Sequence, residues 1–400
     1  MRILYIDIDS LRPDHLGCYG YHRNTSPNID AIAAEGICLD RCYASDVPCL
    51  PSRSALFSGR FGYSTGVVNH CGSRSEPYNE ANQRLFTSPR SETSWPALLS
   101  RAGYHTATIS SFAERHSAWH WYAGFREIID PGYRGMEQAE DLWPHIQEWL
   151  QRRGCDDNWF LHVNFWDPHT PYRTPLEYPN IFAGQPIPDW LSEDIRRRHW
   201  AGFGPQSAQD RDSFDGSTAY SDPWPRQPGP IDSMEKVRMM FDGYDLGVHH
   251  ADMIIGRILE LLHQLKIADE TAIIVSADHG EALGEMNIYG CHQLADHITA
   301  NVPLIIRWPG LIPPSRYGNH VHFLCYQFDL AATVLDILQI PQPSAWHARS
   351  FRNLIPDDHN GVFRPCLVIS QLTATCQRAV RWDRYLAIRN YHDGFRDLPP

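Results

Sequence analysis

Short apolar runs recur along this chain, most of them ending in a polar turn, and segments of helical period lie between them. Arg2 to Ile8 reads as a β-run that stops at Asp9-Ser10-Leu11-Arg12-Pro13. Ser26-Pro27 caps a helix over Asn28–Glu35 that Gly36 closes, and Ser94-Trp95-Pro96 opens another that stops at Gly103. Tyr104–Ile109 returns as a strand. Pro144–Arg153 is amphipathic, with Ile146, Trp149 and Leu150 on one face. Trp159–Phe165 is a strand running into Asp167-Pro168-His169. Lys236–Leu265 is helical, with interruptions expected near Gly243 and Gly247. Thr271–Ser276 is a buried strand ending at Asp278-His279-Gly280, and Val302–Arg307 is another, ending at Trp308-Pro309-Gly310. Cys366–Leu372 and Gln377–Asn390 are expected to pair as two antiparallel strands.

Strands alternating with helices predict an α/β fold with a large, mostly parallel, doubly wound sheet. In such sheets the polar groups just beyond the strand C-termini converge on one crevice. Asp9, His169 and Asp278-His279 all hold that kind of position. The stretch 181–232 breaks the pattern: it is rich in Pro, Gly, Ser, Asp and Trp, without a sustained period, and is expected to be a lid or binding loop. Its Trp190, Trp200 and Trp224 could stack on a sugar or aryl ring, or simply pack on the body of the protein. The expected division is a catalytic domain over 1–350 and a partial, antiparallel C-terminal subdomain over 351–400.

Composition narrows the function classes. The 400 residues carry a net charge of −12, which argues against a nucleic-acid groove. No run approaches a membrane span, and no signal peptide is visible, so a cytoplasmic protein is expected. The ten cysteines are dispersed without a C-x-x-C pair, which suits reduced thiols. Nothing in the sequence specifies an oligomeric state.

The chemistry concentrates around Val47-Pro48-Cys49-Leu50-Pro51-Ser52-Arg53 and the following Ser54-Ala55-Leu56-Phe57-Ser58-Gly59-Arg60. Pro51 suits a first helical turn and Gly59 a left-handed stop, so a short helix is expected from Ser52 to Ser58. Cys49 would then lie just before the helix N-terminus, where unpaired N–H groups lower a thiol's pKa. Asp7 and Asp9 share one face of their strand, an arrangement that calls for a cation or donors. The prolines around His169 hold its imidazole in place.

These stretches resemble the sulfatase family of the alkaline-phosphatase-like superfamily. C-L-P-S-R matches the C-x-P-S-R core, I-D-S-L-R-P-D-H-L-G-C-Y-G resembles the family opening, S-A-D-H-G-E the second metal half-site, and P-H-T-P-Y the P-H-x-P-Y segment. The resemblance implies a sulfatase that hydrolyses sulfate esters, on a small molecule or saccharide, and releases inorganic sulfate. It implies oxidation of Cys49 to formylglycine by a maturation enzyme, and one divalent ion, calcium by preference, with manganese supported by a histidine ligand. The implied metal ligands are Asp9, Ser10, position 49, Asp278 and His279; Arg53 and His169 join Cys49 in catalysis. Ser10 stands where many members have an aspartate, and Asp7 could compensate.

Two family lysines are replaced. Cys291 precedes His292 where G-K-H is usual, and Ser110-Ser111-Phe112-Ala113 replaces G-K-W-H. Arg115, His116, His292 and Asn69 are therefore the candidate substrate contacts. This departure keeps other functions in view: a phosphonate monoester or phosphodiester hydrolase, a metal-dependent phosphatase, or a non-catalytic binding member. Relatives usually continue beyond the equivalent of Pro400 through a D-x-x-x-D-P-x-E turn and a final helix, so either a truncated product or an abbreviated second domain is expected.

Overall fold

The computed structural model describes residues 1–78, 92–210, 224, 226–292, 294–355, 361–373 and 376–391. Its strands are, in chain order, β1 (Arg2–Ile8), β2 (Ile37–Tyr43), β3 (Asp46–Val47), β4 (His105–Ile109), β5 (Glu127–Ile129), β6 (Trp159–Phe165), β7 (Thr271–Ser276), β8 (Ala282–Leu283), β9 (Tyr289–Cys291), β10 (Asn301–Arg307), β11 (Asn319–Val321), β12 (Cys325–Tyr326), β13 (Leu367–Gln371), β14 (Gln377–Trp382) and β15 (Tyr385–Asn390). Every residue of β1, β6, β7 and β10 is buried, as in a sheet covered on both faces.

The large sheet runs β11-β2-β10-β7-β1-β6-β4-β5, with β12 pairing on β2. β1 lies at its centre, parallel to β6 and to β7, with Asp7 opposite both Asn164 and Ser276. The C-terminal ends of these three strands therefore lie side by side, and the turns after them deliver Asp9, the Trp166–His169 turn and Asp278-His279 to one place.

The structure differs from the sequence reading at identifiable points. β10 is antiparallel to both neighbours, so the sheet is mixed as well as mostly parallel. β2 escapes an apolar-run search because Asp40 and Arg41 interrupt it; these two are its half-buried positions. The long helix runs unbroken over Met234–Gln264. Its glycines serve close approach: a Cβ at Gly243 would lie 2.7 Å from the Arg226 carbonyl oxygen and from the Tyr172 ring, and one at Gly247 would lie 2.8 Å from Pro168 Cα. The Ala139–Arg153 helix starts earlier than predicted and carries Pro144 inside it. Gln377–Asn390 is a hairpin of two strands, turning at Asp383 with φ 41°.

These C-terminal strands form a four-stranded sheet, β15-β14-β13-β3, whose last member belongs to the N-terminal part of the chain. β13 is parallel to β3 (Ser370 opposite Asp46, Gln371 opposite Val47), and β3 leads directly into Pro48 and Cys49.

Within 181–232, the Glu193–Ala201 helix is capped by Ser192; residues 211–223 and 225 lie outside the described residues, as do 392–400. Arg226 fastens this segment to the body by donating to the Thr174 carbonyl at 2.8 Å. Trp190 and Trp200 are exposed, and Trp224 is half-buried. Among the described residues no helix is long and apolar enough to cross a membrane.

Candidate active site

Cys49 begins the Cys49–Ser58 helix instead of preceding it, and all ten residues of that helix are buried. Pro51 falls in the first turn, where its missing N–H costs nothing, and the Ser52 amide closes that turn on the Pro48 carbonyl at 3.0 Å. Gly59 ends the helix at φ 62°, beneath Trp346: a Cβ there would lie 2.2 Å from the indole. Cys49, Ser52 and Arg53 of this helix face the turns that follow the central strands. Ser52 Oγ donates to the Asp278 carbonyl at 2.7 Å.

One turn on, Arg53 is the electrostatic hub. It is fully buried, lies with its guanidinium carbon 4.5 Å from the Phe112 ring centroid, and donates Nε to Asp7 (2.7 Å) and Nη1 to Asp9 (2.8 Å) and Asp278 (2.5 Å). Its Nη2 is buried without a hydrogen-bond partner among the described residues. Three carboxylates share one guanidinium in a water-poor site. Burial works against ionisation of Asp9, yet Arg53, His169 and His279 hold its pKa well below the ordinary carboxylate value. At Asp278 burial prevails over Arg53, with Asp9 and Asp7 reinforcing it, and the pKa is pushed well up.

The same forces reverse the expectation for Cys49. Burial, then the charges of Asp9 and Asp278, raise its thiol well above the ordinary value, outweighing both Arg53 and the helix terminus. The thiol donates to His279 Nε2 at 3.0 Å, while His279 Nδ1 donates to the Gly280 carbonyl at 2.9 Å. That assignment leaves Nε2 with the lone pair on the site side. Asp9, Cys49, Asp278 and His279 each offer a ligand atom, all within 4.8 Å of one another and all buried. An excess of carboxylates over guanidinium, with an imidazole lone pair turned into the site, suits a divalent cation.

Asp7 does not stand in for a missing ligand. It lies outside the clustered ligand atoms: its Oδ2 accepts from Arg53 Nε at 2.7 Å and pairs with His162 Nε2 at 3.2 Å, while its Oδ1 is buried without a hydrogen-bond partner among the described residues. Ser10, at φ 60°, donates its hydroxyl to Asp9 (3.0 Å) and its amide to Asp278 (3.2 Å), so it orients both carboxylates. The Tyr244 hydroxyl in turn donates to the Ser10 carbonyl at 2.7 Å and accepts from the Arg12 amide at 2.9 Å.

Histidines wall the rest of the pocket. His169 Nε2 lies 4.0 Å from Asp9, and its ring lies 4.9 Å from that of His292, which stacks on His279 at 4.4 Å. His116 lies against Phe112 at 4.7 Å and against His70 at 4.8 Å. Burial, then Arg115, pushes His116 down to about 3, and burial, then His116, lowers His70 as well. Sequence reasoning missed His70 and chose its neighbour Asn69, whose side-chain oxygen accepts from the His70 amide at 2.6 Å. The signal was there, since His70 follows the same loop. Arg115 is exposed, lies over the Trp166 ring at 5.3 Å and donates to the Arg134 carbonyl at 3.4 Å. Also unassigned from sequence was buried Glu281, which accepts from Thr170 N (3.2 Å) and the Tyr172 hydroxyl (2.8 Å), tying the His169 turn to the Asp278 turn.

A family model described as Sulfatase matches residues 2–340. The chain belongs to the sulfatase family. This sulfatase-family chain is 26% identical over 343 residues to human iduronate 2-sulfatase, covering 78% of itself and 60% of that protein. It is 22% identical over 417 residues to an N-acetylglucosamine-6-O-sulfatase of Bacteroides thetaiotaomicron, covering 89% and 71%. It thus spans about 60% of the length of the iduronate 2-sulfatases it matches. Among solved structures it resembles BT4656 in complex with its substrate D-glucosamine-2-N,6-O-disulfate (TM-score 0.76, 19% identity, 98% of this chain and 89% of that one). It also resembles a phosphonate monoester hydrolase of Silicibacter pomeroyi (TM-score 0.72, 20% identity, 98% and 87%). The fold of this sulfatase relative is accordingly the alkaline-phosphatase-like one: a large, mostly parallel sheet flanked by helices, with a small separate sheet.

Proposed function

We propose that this chain hydrolyses sulfate esters, releasing sulfate, at the pocket around position 49. The observation that carries the reading is the convergence of Cys49, Arg53, Asp9, Asp278 and His279 in one buried cluster with an excess of negative charge. Asp9, Asp278, His279 and position 49 would hold one divalent ion, calcium or, given the imidazole, manganese. Cys49 Sγ stands where an oxygen of formylglycine would be after maturation by a separate enzyme. When present, the ion supplies Lewis acidity and formylglycine a hydroxyl nucleophile.

The rest falls to the chain's own side chains. Arg53 keeps Asp9 ionised and holds Asp9 and Asp278 in place, and its unpartnered Nη2 is a donor for an oxygen at position 49 or on the ester. His169 and His292 line the opposite side and take the place of the replaced lysines. Burial pushes His169 well down, so it is neutral in the empty pocket. An arriving anion offsets that burial and lets one of these imidazoles hold the proton that the departing alcohol needs. His116 and His70 extend the same wall. The alcohol half is read as a saccharide, as in the N-acetylglucosamine-6-O-sulfatase and the glucosamine disulfate complex among the relatives.

The test is turnover of an aryl sulfate beside an aryl phosphonate monoester and a phosphodiester, together with the mass of the peptide containing Cys49. Faster sulfate hydrolysis, abolished in C49A with the fold intact, is the expected result. The peptide should have exchanged sulfur for oxygen and lost two hydrogens. Faster phosphonate or phosphodiester turnover would move the chain to that branch of the superfamily, to which the missing lysines also point. Ester hydrolysis retained in C49A would refute the assignment of the nucleophile.

A further inference from the structure

Before any maturation, the pocket holds a donor set of a different character from the oxygen-rich one that hydrolysis requires. Cys49, His279 and His292 each place a ligand atom within 4.8 Å of the other two, and all three residues are buried. The His279 Nε2 lone pair already faces the thiol at 3.0 Å. The His292 ring stacks on His279 at 4.4 Å, 17° from parallel, and its Nδ1 is buried without a hydrogen-bond partner among the described residues. Asp9 and Asp278 form a second group with the same thiol and His279, which His292 does not join.

One thiolate and two imidazoles, with a fourth position left to water, suit a thiophilic divalent ion such as zinc and are a poor set for calcium. We infer that the unmatured polypeptide binds a thiophilic divalent cation through Cys49, His279 and His292, and that conversion of Cys49 removes this site. The pocket would then exchange its metal class on maturation, from a sulfur and nitrogen site to one dominated by oxygen. Binding displaces the thiol proton to solvent, forms a metal–sulfur bond and changes no oxidation state. This deepens the reading given above at the same pocket. It also supplies a competing fate for Cys49, since a thiolate held by zinc is withheld from oxidation.

The experiment uses the full chain made without the maturation enzyme, stripped of metal and titrated with Co2+ as the spectroscopic probe. A near-ultraviolet sulfur-to-cobalt charge-transfer band, with the strong visible bands of tetrahedral Co2+, is expected, and Zn2+ should displace both. C49S should lose the charge-transfer band. H292A should keep the band and weaken Co2+ binding by at least about tenfold, the lower end of what even an outer-shell partner contributes. H292Q serves if H292A fails to fold. Absence of the band in the thiol form, or unchanged affinity in the His292 variant, would overturn the inference. Because these measurements use protein that cannot turn over, their failure leaves the sulfatase reading standing, and a failed turnover assay leaves them untouched.

Discussion

Replacing Arg53 by methionine probes the electrostatic core directly. The side chain is fully buried and donates to three buried carboxylates, at 2.7 Å to Asp7, 2.8 Å to Asp9 and 2.5 Å to Asp278. Methionine keeps much of the stem and its contact with Phe112, but leaves these carboxylates without a cation. Removing one partner of a buried pair costs about 3–5 kcal/mol, and here one partner serves three acids, so a loss near the upper end is expected in the metal-free protein. Proton uptake by Asp278, already pushed well up, returns part of it at about 1.4 kcal/mol per pKa unit. R53K retains the charge but cannot span three acceptors, and should fall between wild type and R53M. A divalent ion at about a hundred times its dissociation constant stabilises any binder by about 2.7 kcal/mol, and R53M, with one more uncompensated charge, should gain more than wild type. Urea unfolding followed by tryptophan fluorescence, in chelator and in saturating Mn2+, measures both quantities. Wild-type stability of R53M in chelator, to within about 0.5 kcal/mol, would refute the charge argument.

Other outcomes follow from particular contacts. Burial raises Asp46 to about 6 from its ordinary 3.8, so its contribution to stability is complete below the unfolded value and is lost as pH rises through about 6. One oxygen of Asp46 accepts both Ser45 Oγ and Gly62 N, so D46N can keep both bonds; it should flatten the pH dependence of the urea midpoint and add on the order of 2–3 kcal/mol at pH 8. Y244F strands the Ser10 carbonyl and the Arg12 amide, at a cost of about 1–3 kcal/mol, and should weaken Mn2+ binding about tenfold by calorimetry. G247A gains about 1 kcal/mol in helix propensity yet drives a methyl group to 2.8 Å from Pro168 Cα, so both Tm and kcat should fall as the His169 turn is displaced; unchanged kcat would count against that coupling.

The strands that carry chemistry were legible because each is a mostly apolar run ending in a polar turn, as Arg2–Ile8 and Thr271–Ser276 show. β2 was not, since Asp40 and Arg41 sit in its middle, and the antiparallel course of β10 depends on neighbours that are distant in sequence. Local rules misjudged the long helix for a related reason. Gly243 and Gly247 look like breaks until Tyr172 and Pro168 are seen pressed against them. Motif spacing found Asp9, Asp278, His279 and Arg53. It misread the Cys49 thiol because a helix terminus is a local feature, whereas the carboxylates that raise the pKa arrive from residues 9 and 278. Arg115 and Asn69 were chosen by position along the chain, and both side chains are engaged by groups beside them: the Arg134 carbonyl and the His70 amide.

The pairing of β3 with β13 sets an order of events during synthesis. Asp46 and Val47 are held by Ser370 and Gln371, and Cys49 two residues on is 1% exposed beneath Asp278 and His279. A ribosome must therefore release more than three hundred further residues before this corner of the molecule can close. Until then the segment around Cys49 lacks its folded surroundings, and afterwards its sulfur is buried. Any partner that modifies Cys49 has to meet a growing or newly released polypeptide, and a mutation that hastens docking of the last strands would shorten that opportunity without touching the pocket.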